Sequence, residues 1–198
     1  MVMGHLATAF VPYQRCRGNA KATLCVFLLA AVGLDFLMLA LVAAGIETIT
    51  PPAFVDTSFS SARTAMDYSH DLVPVLGWAL AFAMAVYALK RDRVVSAWCF
   101  ALVLLHDACD LVVGFEHKLW NADSPAIGLK LYTSAPVAGL LIETVLCAGV
   151  VWWFARQRAL CGHTLSRRAH ISLYALLVGG TLACLPIANQ SLATLLKL

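Results

Sequence analysis

The sequence predicts an all-α integral membrane protein with about five spans in one bundle. Three observations carry this. Of the 198 residues 61% are hydrophobic and 13% are charged, against roughly 45–50% and about 25% in soluble domains. Mean hydropathy is +0.81. Basic residues fall in short clusters between long apolar stretches. A soluble domain and a disordered chain are excluded, since disorder needs low hydrophobicity and high net charge. The net charge of +3 and the regular spacing of the short basic clusters also argue against a nucleic-acid partner.

A helical span needs roughly 20 apolar residues. The predicted spans are 22–45, 72–89, 94–115, 134–155 and 171–187 within a single domain, 1–198. The first apolar run exceeds the roughly 7–15 residues of a signal h-region, so it reads as a membrane helix. The fifth carries Gly179, Gly180 and Pro186, which membrane helices tolerate. Arg15, Arg17 and Lys21 precede span one, Lys90, Arg91 and Arg93 separate spans two and three, and Arg156, Arg158, Arg167 and Arg168 separate spans four and five. The other four basic residues are Arg63, Lys118, Lys130 and Lys197. The positive-inside rule then predicts a cytoplasmic N-terminus and outer loops at 46–71 and 116–133. Seven cysteines without CxxC spacing read as small apolar fillers, not as a zinc ribbon or disulfide framework.

Ionisable residues inside spans are costly and mark function by default. They are Asp35 in span one, His106, Asp107 and Asp110 in span three, and Glu143 in span four, with His70 and Asp71 at the outer mouth of span two. At about 1.5 Å per residue from the nearest basic cluster, Asp35, His106 and Glu143 all fall near 20 Å, Asp110 near 25 Å and His70 near 30 Å. The polar groups form a layer that opens outward. His106 and Asp110 are four apart and share a helix face, which is ligand spacing. An imidazole and carboxylates in low dielectric call for a cation, and a divalent metal meets that need. A fold-back of 5–13 as a short half-helix, broken at Pro12 and Gly18, would bring His5 to the same level. His117, in an outer loop, reads as a surface residue, and His163 and His170 as solvated.

These residues resemble a family of small bacterial inner-membrane proteins described as membrane-bound metal-dependent hydrolases, the LexA-regulated type and its relatives. The resemblance lies in Met3-Gly4-His5, Gly33-Leu34-Asp35, Tyr68-Ser69-His70, the pair His106 and Asp110, and Gly128-Leu129-Lys130-Leu131-Tyr132 leading to Ser134, Pro136 and Glu143. It covers most of residues 3–143. It implies metal ligation by His5, Asp35, His70, His106 and Asp110. The chain departs from the pattern at Asp71, where a small Ser usually follows the histidine, and at Leu105 and Asp107, which flank His106.

The leading expectation is therefore a metal-dependent hydrolase of the bacterial inner (cytoplasmic) membrane. Mixed His and carboxylate ligands suit zinc first, then manganese or iron. Glu143 or Asp107 is the expected general base, or else orients a ligand histidine. The outward opening points to a periplasmic or lipid-like substrate such as a lipid-linked phosphoester, with the bilayer as the partner. Three rivals use the same residues. A proton- or cation-coupled transporter would use the His/Asp/Glu layer as a relay. A b-type haem protein would use His70 and His106, whose estimated depths differ by about 10 Å. A non-enzymatic partner protein would use the polar layer as helix glue.

Overall fold

The computed structural model describes residues 1, 3–13 and 20–197. Arg15, Arg17 and Gly18, on which the basic cluster before span one and the predicted chain break rest, lie outside the described residues. Among the described residues, five helices are long and apolar enough to cross a membrane, and they form an all-α bundle. Two short helices, α1 (Gly4–Thr8) and α2 (Phe10–Tyr13), precede α3 (Ala20–Ala43). Then follow α4 (Leu72–Lys90), α5 (Arg93–Val113), the single turn α6 (Leu131–Ser134) and α7 (Pro136–Leu160). The fifth long helix, α8 (Arg167–Ile187), is π-helical over Tyr174–Gly179 and closes in a 3-10 turn at Leu185–Ile187 around Pro186. A last short helix, α9, covers Leu192–Leu196. Among the described residues, sheet is confined to two loop hairpins, β1 (Thr48–Thr50) with β2 (Arg63–Ala65) and β3 (His117–Lys118) with β4 (Ala126–Ile127).

The tightest hairpin joins α4 to α5. Arg91 takes the left-handed conformation, φ 55°, and ends α4. Asp92 then caps α5, its Oδ1 accepting from Val94 N at 2.9 Å and Val95 N at 3.1 Å. Two residues reverse the chain because one terminates and the next initiates a helix. The core between α3, α4 and α5 is built from small and medium side chains, among them Ala30, Ala31, Ala79, Cys99 and Leu102. Small residues let membrane helices approach closely. Leu29, Phe36, Leu80, Met84 and Val145 are exposed on the outer faces, which is where a bundle meets lipid.

The half-helix α1 folds into the bundle. His5, Ala7 and Ala9 are fully buried there, and Ala7 packs with Cys147, Val151 and Leu177. The alternation of five helices gathers 46–71, 116–133 and the C-terminal segment at one end. There Phe59 N and Ser60 N donate to Ile187 O and Ala188 O at 3.1 and 3.0 Å. That end roofs the site.

Candidate metal centre

Helix α5 supplies the base of the site. His106 and Asp110, one turn apart, both point inward and are buried. His106 Nδ1 donates to the carbonyl of Ala31 at 2.7 Å. Asp35 lies one turn further along α3 on the same face, so the surface that ties off Nδ1 also presents a carboxylate to Nε2. Asp35 Oδ1 is 3.8 Å from His106 Nε2.

His70 arrives from the turn before α4, and a relay fixes its ring. Glu47 is buried and accepts from Tyr68 N at 3.0 Å and Ser69 N at 2.8 Å through Oε1. Its Oε2 accepts the Ser69 hydroxyl at 2.8 Å. Ser69 has one hydroxyl proton and gives it to Glu47, so its Oγ accepts from His70 Nδ1, 2.8 Å away. In their neutral forms His70 and His106 therefore carry the proton on Nδ1 and a lone pair on Nε2. That is the tautomer in which protein partners hold metal-ligating histidines.

The Nε2 atoms of His70 and His106 are 3.2 Å apart. His106 Nε2 is 3.3 Å from Asp110 Oδ2, and His70 Nε2 is 3.7 Å from Asp35 Oδ1 and 4.0 Å from Asp110 Oδ2. Bonds of about 2.0–2.1 Å in a tetrahedron put ligand atoms roughly 3.3–3.4 Å apart. The observed separations straddle that value. His5 stacks on His106 with ring centroids 3.5 Å apart, and its Nε2 is 3.2 Å from Asp110 Oδ1. The ligand atoms of His5, Asp35, His106 and Asp110 lie within 4.8 Å of one another. This His/Asp group can hold a metal ion. A stand-in cation marks the demand for positive charge: the α-ammonium of Met1 is hydrogen-bonded to Asp110 and lies 2.7 Å from His5 Nε2.

The structure thus brings together His5, Asp35, His70, His106 and Asp110. The depth read for His70 is corrected: its Nε2 touches that of His106 instead of standing about 10 Å further out. The count along α4 assumed a straight path, whereas residues 66–71 turn back into the bundle mouth under the hold of Glu47. The haem geometry goes with it, because two carboxylates within 4 Å of these nitrogens leave no room for a porphyrin.

Glu143 and Asp107 do not face the cluster. Glu143 Oε1 accepts from Met3 N at 2.6 Å and Gly4 N at 2.7 Å, and Oε2 accepts from the Tyr132 hydroxyl. It holds the start of α1. Asp107 Oδ1 lies 3.7 Å from His117 Nδ1. His117 is not the surface residue expected of its loop. It is 1% exposed, because the β3–β4 hairpin folds inward. Its Nδ1 donates to the His70 carbonyl at 2.8 Å, and among the described residues its Nε2 has no hydrogen-bond partner. Burial pushes its pKa down, which favours the neutral ring with a lone pair on Nε2. Burial pushes the carboxyl of Asp71 up, although Asp71 Oδ1 accepts from Lys118 N at 3.0 Å. No helical spacing marks His117, because α5 ends at Val113 and the residue lies in β3. Glu47, an acid of the outer loop, carries no signal either.

A cavity of about 360 Å³ stands over the cluster, with Asp35, His70, Asp110 and His117 in its lining. The relay below it makes a direct prediction. Ser69→Ala removes the acceptor from His70 Nδ1 and should weaken metal affinity by about 10–100-fold without unfolding the bundle. Chelator-competition titration measures this. Unchanged affinity would show that His70 is not a ligand held by Ser69.

No protein-family model, curated protein or solved structure matches the chain.

Proposed function

We propose that the chain is a membrane-embedded metal-dependent hydrolase and a member of the family it resembles. One observation carries the reading: two carboxylates and two imidazoles, each imidazole with its Nδ1 tied to a protein acceptor, converge at ligand distances below a cavity. In this reading Asp35, His70, His106 and Asp110 hold a divalent cation, with His5 against the far oxygen of Asp110. Zinc suits a four-ligand nitrogen and oxygen set best, with manganese and iron next. Such a cation supplies a Lewis acid and brings the pKa of water down to about 7.

The protein's own groups do the rest. Glu47 and Ser69 fix the tautomer of His70, and Ala31 fixes that of His106. Glu143 seats α1 and so places His5. His117 Nε2 offers its lone pair to a proton in the cavity, a place that neither Glu143 nor Asp107 occupies. The basic inter-span segments and the resemblance support a bacterial cytoplasmic membrane as its place, with the roofed end outward.

The test is elemental mass spectrometry on the full chain, purified in mild detergent without chelator or His tag, beside a His106→Ala/Asp110→Ala variant. The parent should carry about one equivalent of divalent metal by the four-ligand geometry, and the variant none. A metal-free parent that takes up neither zinc, manganese nor iron overturns the reading, and proton flux into proteoliposomes becomes the next measurement.

A further inference from the structure

The end of the bundle away from the metal cluster carries a charge that its own acids do not balance. All 14 lysines and arginines but Arg63, Lys118, Lys130 and Lys197 fall in the predicted cytoplasmic segments. The acid of those segments is Asp92, and its Oδ1 is taken up in capping α5, where it accepts from Val94 N and Val95 N. Among the described residues, the ion pair that engages a lysine or arginine is that of Lys130 with Glu116, at the roofed end.

The charge is densest where α7 gives way to α8. Residues 144–198 contain no Asp or Glu, and the basic residues around the turn are all arginines: Arg156, Arg158, Arg167 and Arg168. The Arg156 guanidinium lies over the Trp152 ring, 5.4 Å from its centroid. Trp152 is exposed, and an exposed tryptophan at the end of a span sits at headgroup level. Arg158 takes another face of α7. It follows Val151 and Phe154 at helical spacing, and both are buried, so it ends the inward stripe of the helix. On that stripe Phe154 meets Phe10 and Tyr13 of α2, and Val151 packs with Leu177 of α8. Arg158 Nε is buried and, among the described residues, has no hydrogen-bond partner. A buried donor on a charged group is costly to leave unpaired, so the seam calls for an acceptor. Arg167 and Arg168 are exposed at the start of α8. Leu160 and Ile171 are exposed on either side of the turn.

We propose that Arg156, Arg158, Arg167 and Arg168 form a site for the phosphate of an anionic phospholipid in the cytoplasmic leaflet. Guanidinium forks take phosphate oxygens in pairs, and basic clusters beside a span attract anionic lipid. Arg158 meets the phosphate from the seam, and Arg156 is held at headgroup level by Trp152. The acyl chains lie against the exposed apolar faces of α7 and α8. A soluble anion would use the arginines and leave those faces bare. The site lies at the opposite end from the metal cluster and stands apart from the hydrolase reading.

The test is native mass spectrometry of the full chain in mild detergent, titrated with phosphatidylglycerol or with phosphatidylcholine of the same acyl chains. The first phosphatidylglycerol should bind about tenfold more tightly than the first phosphatidylcholine, the preference a basic cluster beside a span confers. Arg158→Gln/Arg167→Gln should erase most of that preference. Lys90→Gln/Arg91→Gln removes the same charge at the α4–α5 turn and should keep it. Thermal melts in phosphatidylcholine establish that both variants are folded. Arg158→Lys/Arg167→Lys retains every charge but loses the forks, and should fall between parent and Gln variant; it decides the matter if the Gln variant does not fold. Equal affinity of the parent for the two lipids overturns the proposal. So does an equal loss of preference in Lys90→Gln/Arg91→Gln, which makes the attraction diffuse. Inorganic phosphate binding as tightly as phosphatidylglycerol, with the same dependence on Arg158, also overturns it, because the lipid then adds nothing.

Discussion

Asp110→Asn should cost the chain its metal, with affinity falling by on the order of 100-fold or more. Within the cluster Asp110 works with both of its oxygens at once. Oδ2 faces His106 at 3.3 Å and His70 at 4.0 Å, while Oδ1 faces His5 at 3.2 Å and binds the α-ammonium of Met1. An asparagine keeps one oxygen acceptor and puts in place of the other an amide NH2, which has no lone pair to give a metal ion. It also removes one of the two charges that neutralise a divalent cation. The damage extends to the metal-free protein. Removing one partner from a buried ion pair costs about 3–5 kcal/mol, because the other charge stays behind unpaired. The midpoint of thermal unfolding in detergent should therefore fall as well. Zinc titration with a competing chelator reads the first effect and a thermal melt the second. His163→Ala, in the exposed turn after α7, should change neither. Wild-type zinc affinity in Asp110→Asn would remove Asp110 from the ligand set and the proposed function with it.

The reason Asp110 could be read from the sequence is the same reason its loss is costly. A bilayer demands long apolar runs, so a charged residue within one stands out against its neighbours. Asp35, His106 and Asp110 were legible on that ground, and the i, i+4 spacing placed two of them on one face. Depth was legible along a helix axis, but azimuth was not. Glu143 came out at the right level and yet faces the start of α1 instead of the cluster. Loops offer no such contrast. His70 could be named but not placed, because its turn re-enters the bundle. Glu47 and His117 sit in segments where acids and histidines are ordinary, and their burial depends on chain reversals at β1–β2 and β3–β4. The fifth helix was legible in extent. Its π-helical stretch was not, since nothing in the apolar run Tyr174–Gly179 sets it apart from an α-helix.

Glu143→Leu should release α1 from the bundle and carry His5 away from the site. A five-residue helix has no stability of its own, since nucleation is costly and propagation short. Its first amides would be unsatisfied donors in an apolar interior. Glu143 is fully buried and answers both needs, taking Met3 N and Gly4 N on one oxygen and the Tyr132 hydroxyl on the other. Hydrogen bonds to a charged group contribute about 1.5–3 kcal/mol each, enough in sum to decide whether so short a segment docks. Gly4 fits the same interface because a Cβ there would crowd Met1 and approach Glu143 Cγ to 3.3 Å. Hydrogen–deuterium exchange across residues 3–9 should rise sharply in Glu143→Leu, while α3, α4 and α5 keep their protection. Metal affinity should drop by about 10–100-fold, the range for a lost outer partner. Glu143→Gln keeps a carbonyl oxygen for the two amides and lets Tyr132 reorient, so it should fall between parent and Leu variant in both measurements. A purely catalytic role predicts a different pattern: activity lost in Gln and Leu alike, with exchange at residues 3–9 and metal affinity unmoved. That pattern would overturn the assignment of Glu143 as the group that positions His5.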